Sequence, residues 1–485
     1  MQPPAFGPFR IALIGDFSGR TNRGAIETAR AIATRRPIRV DRDSLDDAIA
    51  RIAPRLEVNL GNADERFEVG FASLDDFHPD SLYQRLPRFR ALRDAGARAL
   101  ASSSLFAPES AKPTPTPASA LDAILGDAPM PPGGAALAKA PAPPALDGRD
   151  GGLSEFVQRA VAPYLVSTPD PSAAEIKAGV DAAITAELRA LLHHPDFQGL
   201  EAAWRGASFL VRRLDTDSSL QVHIIDVSRE ELDADLATDQ IDASGFHRLL
   251  VEQSVGTPGS DPWALLVGLF TLGSDDDELA LLERIGRVAR DAGAPFVAGG
   301  ASILAGVHSI ASMPDPDDWA NDAPSTWSSL RGSTVAPYLS LVMPRLLLRL
   351  PYGKQTDECE LVPFEESAPD TRPPHESYLW GSGSLAVALL VGEGFAEDGW
   401  ALRPGREISN LPLHVYRADG ETIATPCAEA VLSERAAERL LDRGLSPLLT
   451  VRDSDAVIFP RLQSIAEPLT RLRGRWDSSN DADGA

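Results

Sequence analysis

The residues best able to do chemistry are few, and each has a second reading. Gly381-Ser382-Gly383-Ser384-Leu385-Ala386 fits the loose G-x-G-x-x-A form of a dinucleotide loop, but no clear βαβ setting follows it. Glycine and serine also open helices as ordinary caps. Gly353-Lys354 is followed by Gln355 and lacks an upstream glycine, so no phosphate-binding P-loop is present. His193 and His194 are adjacent, and neighbours on a helix do not share a face, so they make a poor metal pair. Ser18 and Ser382 lie among glycines without the G-x-S-x-G spacing, and the 8 histidines nominate no base. Glu230-Glu231, Asp317-Asp318 and Glu365-Glu366 could do acid-base work. In a chain with a formal net charge of −24 they read as solvated faces. Cys359 and Cys427 stand far apart with no CxxC partner, so neither a disulfide nor a thiolate metal site is expected. The sequence therefore predicts no enzyme, no catalytic residue, no cofactor and no metal.

One charged pattern stands out. In Met343-Pro344-Arg345-Leu346-Leu347-Leu348-Arg349-Leu350-Pro351 two arginines interrupt an apolar run. They fit either an edge strand with charges turned to solvent or a subunit contact in which guanidinium forks meet carboxylates. Arg345 and Arg349 are the candidate contact residues.

The elements that must position these residues fall into two parts. A chain of 485 residues with 43% hydrophobic content is expected to build two or more cores. Residues 1–110 open with the strand candidate Phe9 to Ile14 and a turn at Gly15 to Gly19. Ser44 to Asp47 has capping-box spacing ahead of Leu45, Ile49 and Ile52. Strand candidates follow at Leu56 to Leu60 and Phe67 to Phe71, then a helix after His78-Pro79 carrying Leu82, Leu86 and Phe89. Residues 111–151 form a linker with nine prolines between Pro113 and Pro144. If extended it reaches on the order of 100 Å, at ~3 Å per residue, so the flanking parts need not touch. Within it, 119–126 is a short helix candidate presenting Leu121, Ile124 and Leu125 on one face.

In residues 152–476, Ile176, Val180, Ile184, Leu188 and Leu192 mark a helix with one buried stripe. A second helix carries Leu200, Trp204 and Val211, and Gln221 to Val227 alternates as a strand before a helix begins at Ser228. Ser274 to Asp277 is spaced to cap a helix bearing Leu279, Leu282, Ile285 and Val288, which Gly293 ends. Further strand candidates are Trp263 to Phe270, Phe296 to Ala298 and Leu339 to Met343. Residues 477–485 are an acidic tail. The expected class is α/β, mixed sheets with flanking helices in two parts. A pI near 4.7 opposes nucleic acid and anionic lipid as partners. No signal peptide or membrane span is read, which predicts a cytoplasmic chain.

Taken in order, these segments resemble the small and large subunits of the type VI secretion contractile sheath, fused in one chain. The small-subunit likeness rests on Phe9 to Arg20, Pro37 to Val40, Ala53 to Leu56 and Ser73 to Asp80. The large-subunit likeness rests on Leu192 to Gly206, Gly256 to Gly259, Ala294 to Phe296, Pro344 to Gly353 and Tyr378 to Gly381. The resemblance implies a structural protein that assembles around an inner tube and contracts, without an active site. It implies as partners other sheath subunits, the inner tube protein, a baseplate and a ClpV-type unfoldase reading Leu121, Ile124 and Leu125. The small-subunit likeness fades after Arg93, and the chain stops soon after Arg475-Trp476. Those departures keep a second expectation open, a non-polymerising cap, adaptor or baseplate-linked homologue. A nucleotide-binding enzyme acting through Gly381 and Gly383 is the third.

Overall fold

Phe9-Arg10-Ile11-Ala12-Leu13-Ile14-Gly15 is apolar at almost every position, which marks a strand covered on both faces. In the computed structural model, which describes residues 7–60, 66–104, 161, 173–320, 324–368 and 371–479, that strand lies inside a seven-stranded sheet. The strands are β1 (Phe9–Gly15), β2 (Ile38–Val40), β3 (Leu220–Asp226), β4 (Leu265–Leu272), β5 (Phe296–Gly300), β6 (Leu339–Met343) and β7 (Leu445–Pro447). Their order is β7-β6-β5-β4-β1-β3-β2. All neighbours run parallel except β2, which pairs antiparallel with β3.

This pairing overturns the expectation that the two parts need not touch. β1 and β2 precede the proline-rich segment, while their partners follow it. The physical reason is the composition of β1 itself: a strand apolar on both faces needs a neighbour on each edge and a layer above and below. β3 and β4 supply the edges, with Leu13 set between Ile224 and Val267. The buried cluster around the sheet mixes Ala12, Ile14 and Ile32 with Leu232, Phe246, Leu266 and Ile285. The linker, the 119–126 helix candidate with Leu121, Ile124 and Leu125, and residues 480–485 lie outside the described residues.

Compact units also cut across the sequence boundary. One joins Met1–Leu74, His193–Pro351 and Ser367–Ala485, and the other joins Asp75–Leu192 and Tyr352–Glu366. Each draws residues from before and after the proline-rich segment. In the first unit, the helix Asp276–Ala292 starts on three acids that favour its positive end and stops at Gly293, whose φ of 63° suits glycine. The expected Ser274 box is shifted, with Asp275 at the cap and the Glu278 carboxylate accepting from the Gly273 amide at 2.9 Å. In the second unit, Pro87–Ser104 packs along Ala173–Leu192 and the pair is joined by Arg88 Nε to Glu187 at 2.9 Å.

Candidate functional site

The turn after β1 is where the first stretch of chain is locked to the second. Asp226, at the end of β3, accepts from the Phe17 and Ser18 amides at 2.9 and 3.1 Å and from Arg20 Nε at 2.9 Å. Asp16 closes the turn on itself by accepting from the Arg20 and Thr21 amides at 2.7 and 2.8 Å. Burial pushes the Asp16 carboxyl up, and those amides pull the other way. From the helix Pro195–Arg213, Trp204 Nε1 donates to the Phe17 carbonyl at 2.9 Å, and the two rings meet edge to face at 5.0 Å. Asn22 joins the Glu57 backbone and Asp196. A second knot sits beside it. Glu231 is fully buried, closes a capping box with Ser228, and receives Arg35 through two bonds of 2.8 and 2.6 Å. Reading Glu230-Glu231 as a solvated face was therefore wrong for Glu231, and Glu366, also buried, accepts from the Tyr352 amide at 2.8 Å.

The crevice above β1 and β4, about 300 Å³, lies at the carboxyl ends of parallel strands, where open α/β sheets hold ligands. Its charged lining is Asp16, Asp196, Glu230 and Arg229, a poor cradle for phosphate. The Gly381-Gly383 loop is no better. A Cβ on Gly383 would meet Val342 Cγ1 at 2.7 Å, and one on Gly381 would meet Leu348 Cδ1 at 2.4 Å. These glycines admit protein, and the fully buried Ser384 donates to the Gly268 carbonyl at 2.9 Å. His194 caps the helix that follows it, its Nδ1 accepting from the Asp196 amide at 3.3 Å. His78 does the same for Asp80 at 3.2 Å, so His-Pro-Asp recurs as a helix start.

Over residues 174–466, more than half of the chain, the sequence matches the family model VipB, described as a tail sheath N-terminal domain. The chain belongs to this tail sheath family. Residues 7–102 match a second family model, VipA of the type VI secretion system, so this sheath-family chain carries both. The type VI secretion system sheath protein TssC1 of Pseudomonas aeruginosa is 31% identical over 306 residues, covering 60% of this chain. The chain spans 61% of that relative's length.

Within the sheath-family segment the two candidate contact arginines both meet carboxylates of their own chain. Arg349 is buried, and its Nε reaches the fully buried Glu201 at 3.0 Å, where Arg205 also donates at 2.6 Å. Arg345 forks onto Glu429 at 2.8 and 2.7 Å, with His375 at 3.1 Å. Burial alone would raise the Glu429 carboxyl, but these partners hold it down at about 2. The arginines were legible in the sequence; Glu201 and Glu429, 148 and 84 residues away, were not.

In the other unit, His78, Asp80 and Cys359 bring ligand atoms within 4.8 Å of one another, a grouping the sequence reading missed. Each already has a local role or a protonated form. The Asp80 oxygens accept from the Glu360 and Leu361 amides at 2.8 and 3.1 Å, and burial with nearby acids pushes the Cys359 thiol up to about 12. Among the described residues no helix is long and apolar enough to cross a membrane.

Proposed function

We propose that the chain is a structural component of a type VI secretion contractile sheath, acting by protein-protein assembly and not by catalysis. The observation that carries this reading is the interior place of β1. A segment matching the small-subunit family supplies an interior strand, β1, between two strands of the large-subunit segment, and the edge strand β2 as well. Fusion then fixes the two at one to one and raises their effective concentration. On this reading the partners are further sheath subunits, an inner tube protein and a baseplate, met in the cytoplasm, and a ClpV-type unfoldase would act on the stretch holding Leu121, Ile124 and Leu125. On this reading Arg345, whose side chain is 42% exposed beside Glu429, would also meet a neighbouring subunit.

Negative-stain microscopy of the purified chain, alone and mixed with separate sheath subunits and inner tube protein, tests the proposal. Regular tubes are the expected result. Decoration of sheath ends alone would instead indicate a cap or adaptor, and nucleotide turnover lost on Gly383→Asp would sink the non-catalytic reading.

A further inference from the structure

Beside the locked turn, in the unit that holds the sheet, Arg20, Arg23, Arg35, Arg36, Arg51 and Arg55 line one cavity of about 400 Å³. That is an unusual concentration of cations in a chain carrying −24 overall. Two of the six are compensated by carboxylates. Arg20 meets Asp226 at 2.9 Å and Glu27 at 3.1 Å, and Arg35 meets Glu231 at 2.6 Å and Glu27 at 2.8 Å. Arg55 has a long, half-exposed contact with Glu68 at 3.8 Å. The other three have no counter-charge among the described residues. Arg23 donates only to the carbonyls of Gly19 and Ser18, at 3.2 and 3.1 Å, and Arg36 and Arg51 have no ion-pair partner. The one carboxylate in the lining, Asp226, already accepts three bonds from the turn. Ser18 also lines the cavity; it is 5% exposed, and its Oγ is buried with no hydrogen-bond partner. A buried hydroxyl left unmet costs about 1–3 kcal/mol, and an oxyanion can accept from it.

We propose that this cavity binds a small molecule bearing a diphosphate group, held by Arg23, Arg36 and Arg51 with the Ser18 hydroxyl. Guanidinium forks match phosphate oxygens in pairs. The three uncompensated cations exceed what one phosphate, at about −1.5 to −2, would neutralise. The volume lies in the ordinary range for a small-ligand site. Its walls come from the turn after β1, the segment leading to β2, the helix Leu45–Ile52 and the end of β3. A bound diphosphate would therefore clasp the N-terminal elements onto the sheet.

The test is calorimetric titration of the full chain with inorganic pyrophosphate and, separately, with ADP, at fixed ionic strength, with sodium sulfate as the control anion. Saturable binding at one site per chain by either diphosphate, at least ~10-fold tighter than sulfate, is expected. Arg36→Glu/Arg51→Glu should weaken it at least ~10-fold, while the free variant melts no lower because both side chains are exposed and repel their neighbours. Ser18→Ala should weaken it several-fold without lowering the melting temperature. Tighter binding of ADP than of pyrophosphate identifies a nucleotide as the source, and the reverse order identifies free diphosphate. No saturation by either, equal affinity for sulfate, or unchanged binding by the double variant overturns the site.

Discussion

Glu201 shows how much of this structure rests on single buried charges. It has no exposed surface, and two guanidiniums, from Arg205 one turn along its own helix and from Arg349 far along the chain, satisfy it. Breaking a buried pair by removing one partner costs about 3–5 kcal/mol, because the other charge is left in a poor solvent. Arg349→Ala should therefore destabilise the chain by about 3 kcal/mol in urea, toward the lower end because Arg205 remains. If Arg349 served only a contact between subunits, the denaturation midpoint would not move and assembly alone would suffer. His223 on β3 makes a second case. It is 7% exposed, stands edge-on to Trp263 at 5.3 Å, and Arg10 covers the same indole at 3.9 Å. Burial, then the charges of Arg10 and Arg39, lower its pKa to about 3. Between that value and the ordinary one near 6.5, the unfolded chain binds the proton and the folded chain does not. Its contribution is thus complete above about pH 6.5 and is lost as pH falls toward 3. His223→Gln should lose less stability than the parent between pH 7.5 and 5, the gap widening by up to ~1.4 kcal/mol per pH unit. Parallel urea midpoints across that range would refute the assignment. At this scale the sequence displays the arginines and hides their acids, since side-chain pairing across 148 residues leaves no local periodicity.

Among elements, types were far more legible than neighbours. The Phe9 to Ile14 run, the Gln221 to Val227 alternation and the apolar face of Leu279, Leu282, Ile285 and Val288 each announce a strand or helix through local period. Nothing local states that β1 enters between β3 and β4, because parallel pairing carries no turn to signal it. The acids of the capping positions were similarly misplaced by one residue at Ser274, where Glu278 takes over the loop amide. Small contact residues were the least legible. Gly245 lies where the stretch around Ala29 crosses the short turn Gly245–His247, and a Cβ there would stand 2.0 Å from the Ala29 carbonyl oxygen and 2.9 Å from Ile32 Cβ. Asp235 ties the same crossing, accepting from the Ala29, Gly245 and Phe246 amides at 2.5, 3.0 and 2.8 Å. Since backbone rather than a flexible side chain fills the space, Gly245→Ala should cost about 2–3 kcal/mol, a typical penalty for overpacking. Hydrogen exchange should show the loss first in the amides of residues 27–33. A variant with parental exchange there would mean that the crossing is not held as described.

For the whole molecule, the order β7-β6-β5-β4-β1-β3-β2 makes the two stretches of sequence mutually dependent. Removing residues 1–110 would take away the strand between β3 and β4 together with Phe9, Ile11, Leu13 and Ile14, all with no exposed surface. Burying such side chains contributes about 1.5–3 kcal/mol each, so their sum approaches the ~5–15 kcal/mol by which a domain is stable at all. The remainder would also present two unpaired strand edges facing each other across a gap, an aggregation hazard. The first stretch alone fares no better, because β1 would keep apolar residues on both faces with nothing to cover them. Cutting the chain within the proline-rich segment, by contrast, breaks no described strand pair. The two pieces, 1–110 and 152–485, should therefore co-purify at one to one when co-expressed with a tag on either, and melt together. Each expressed alone should be insoluble or lack a cooperative transition. Their joint stability should also fall with dilution, since cutting the tether replaces an effective concentration with a real one. A cooperative melt from 152–485 alone would refute the dependence, and with it the argument that fusion holds an interior strand of this sheath-family sheet in place.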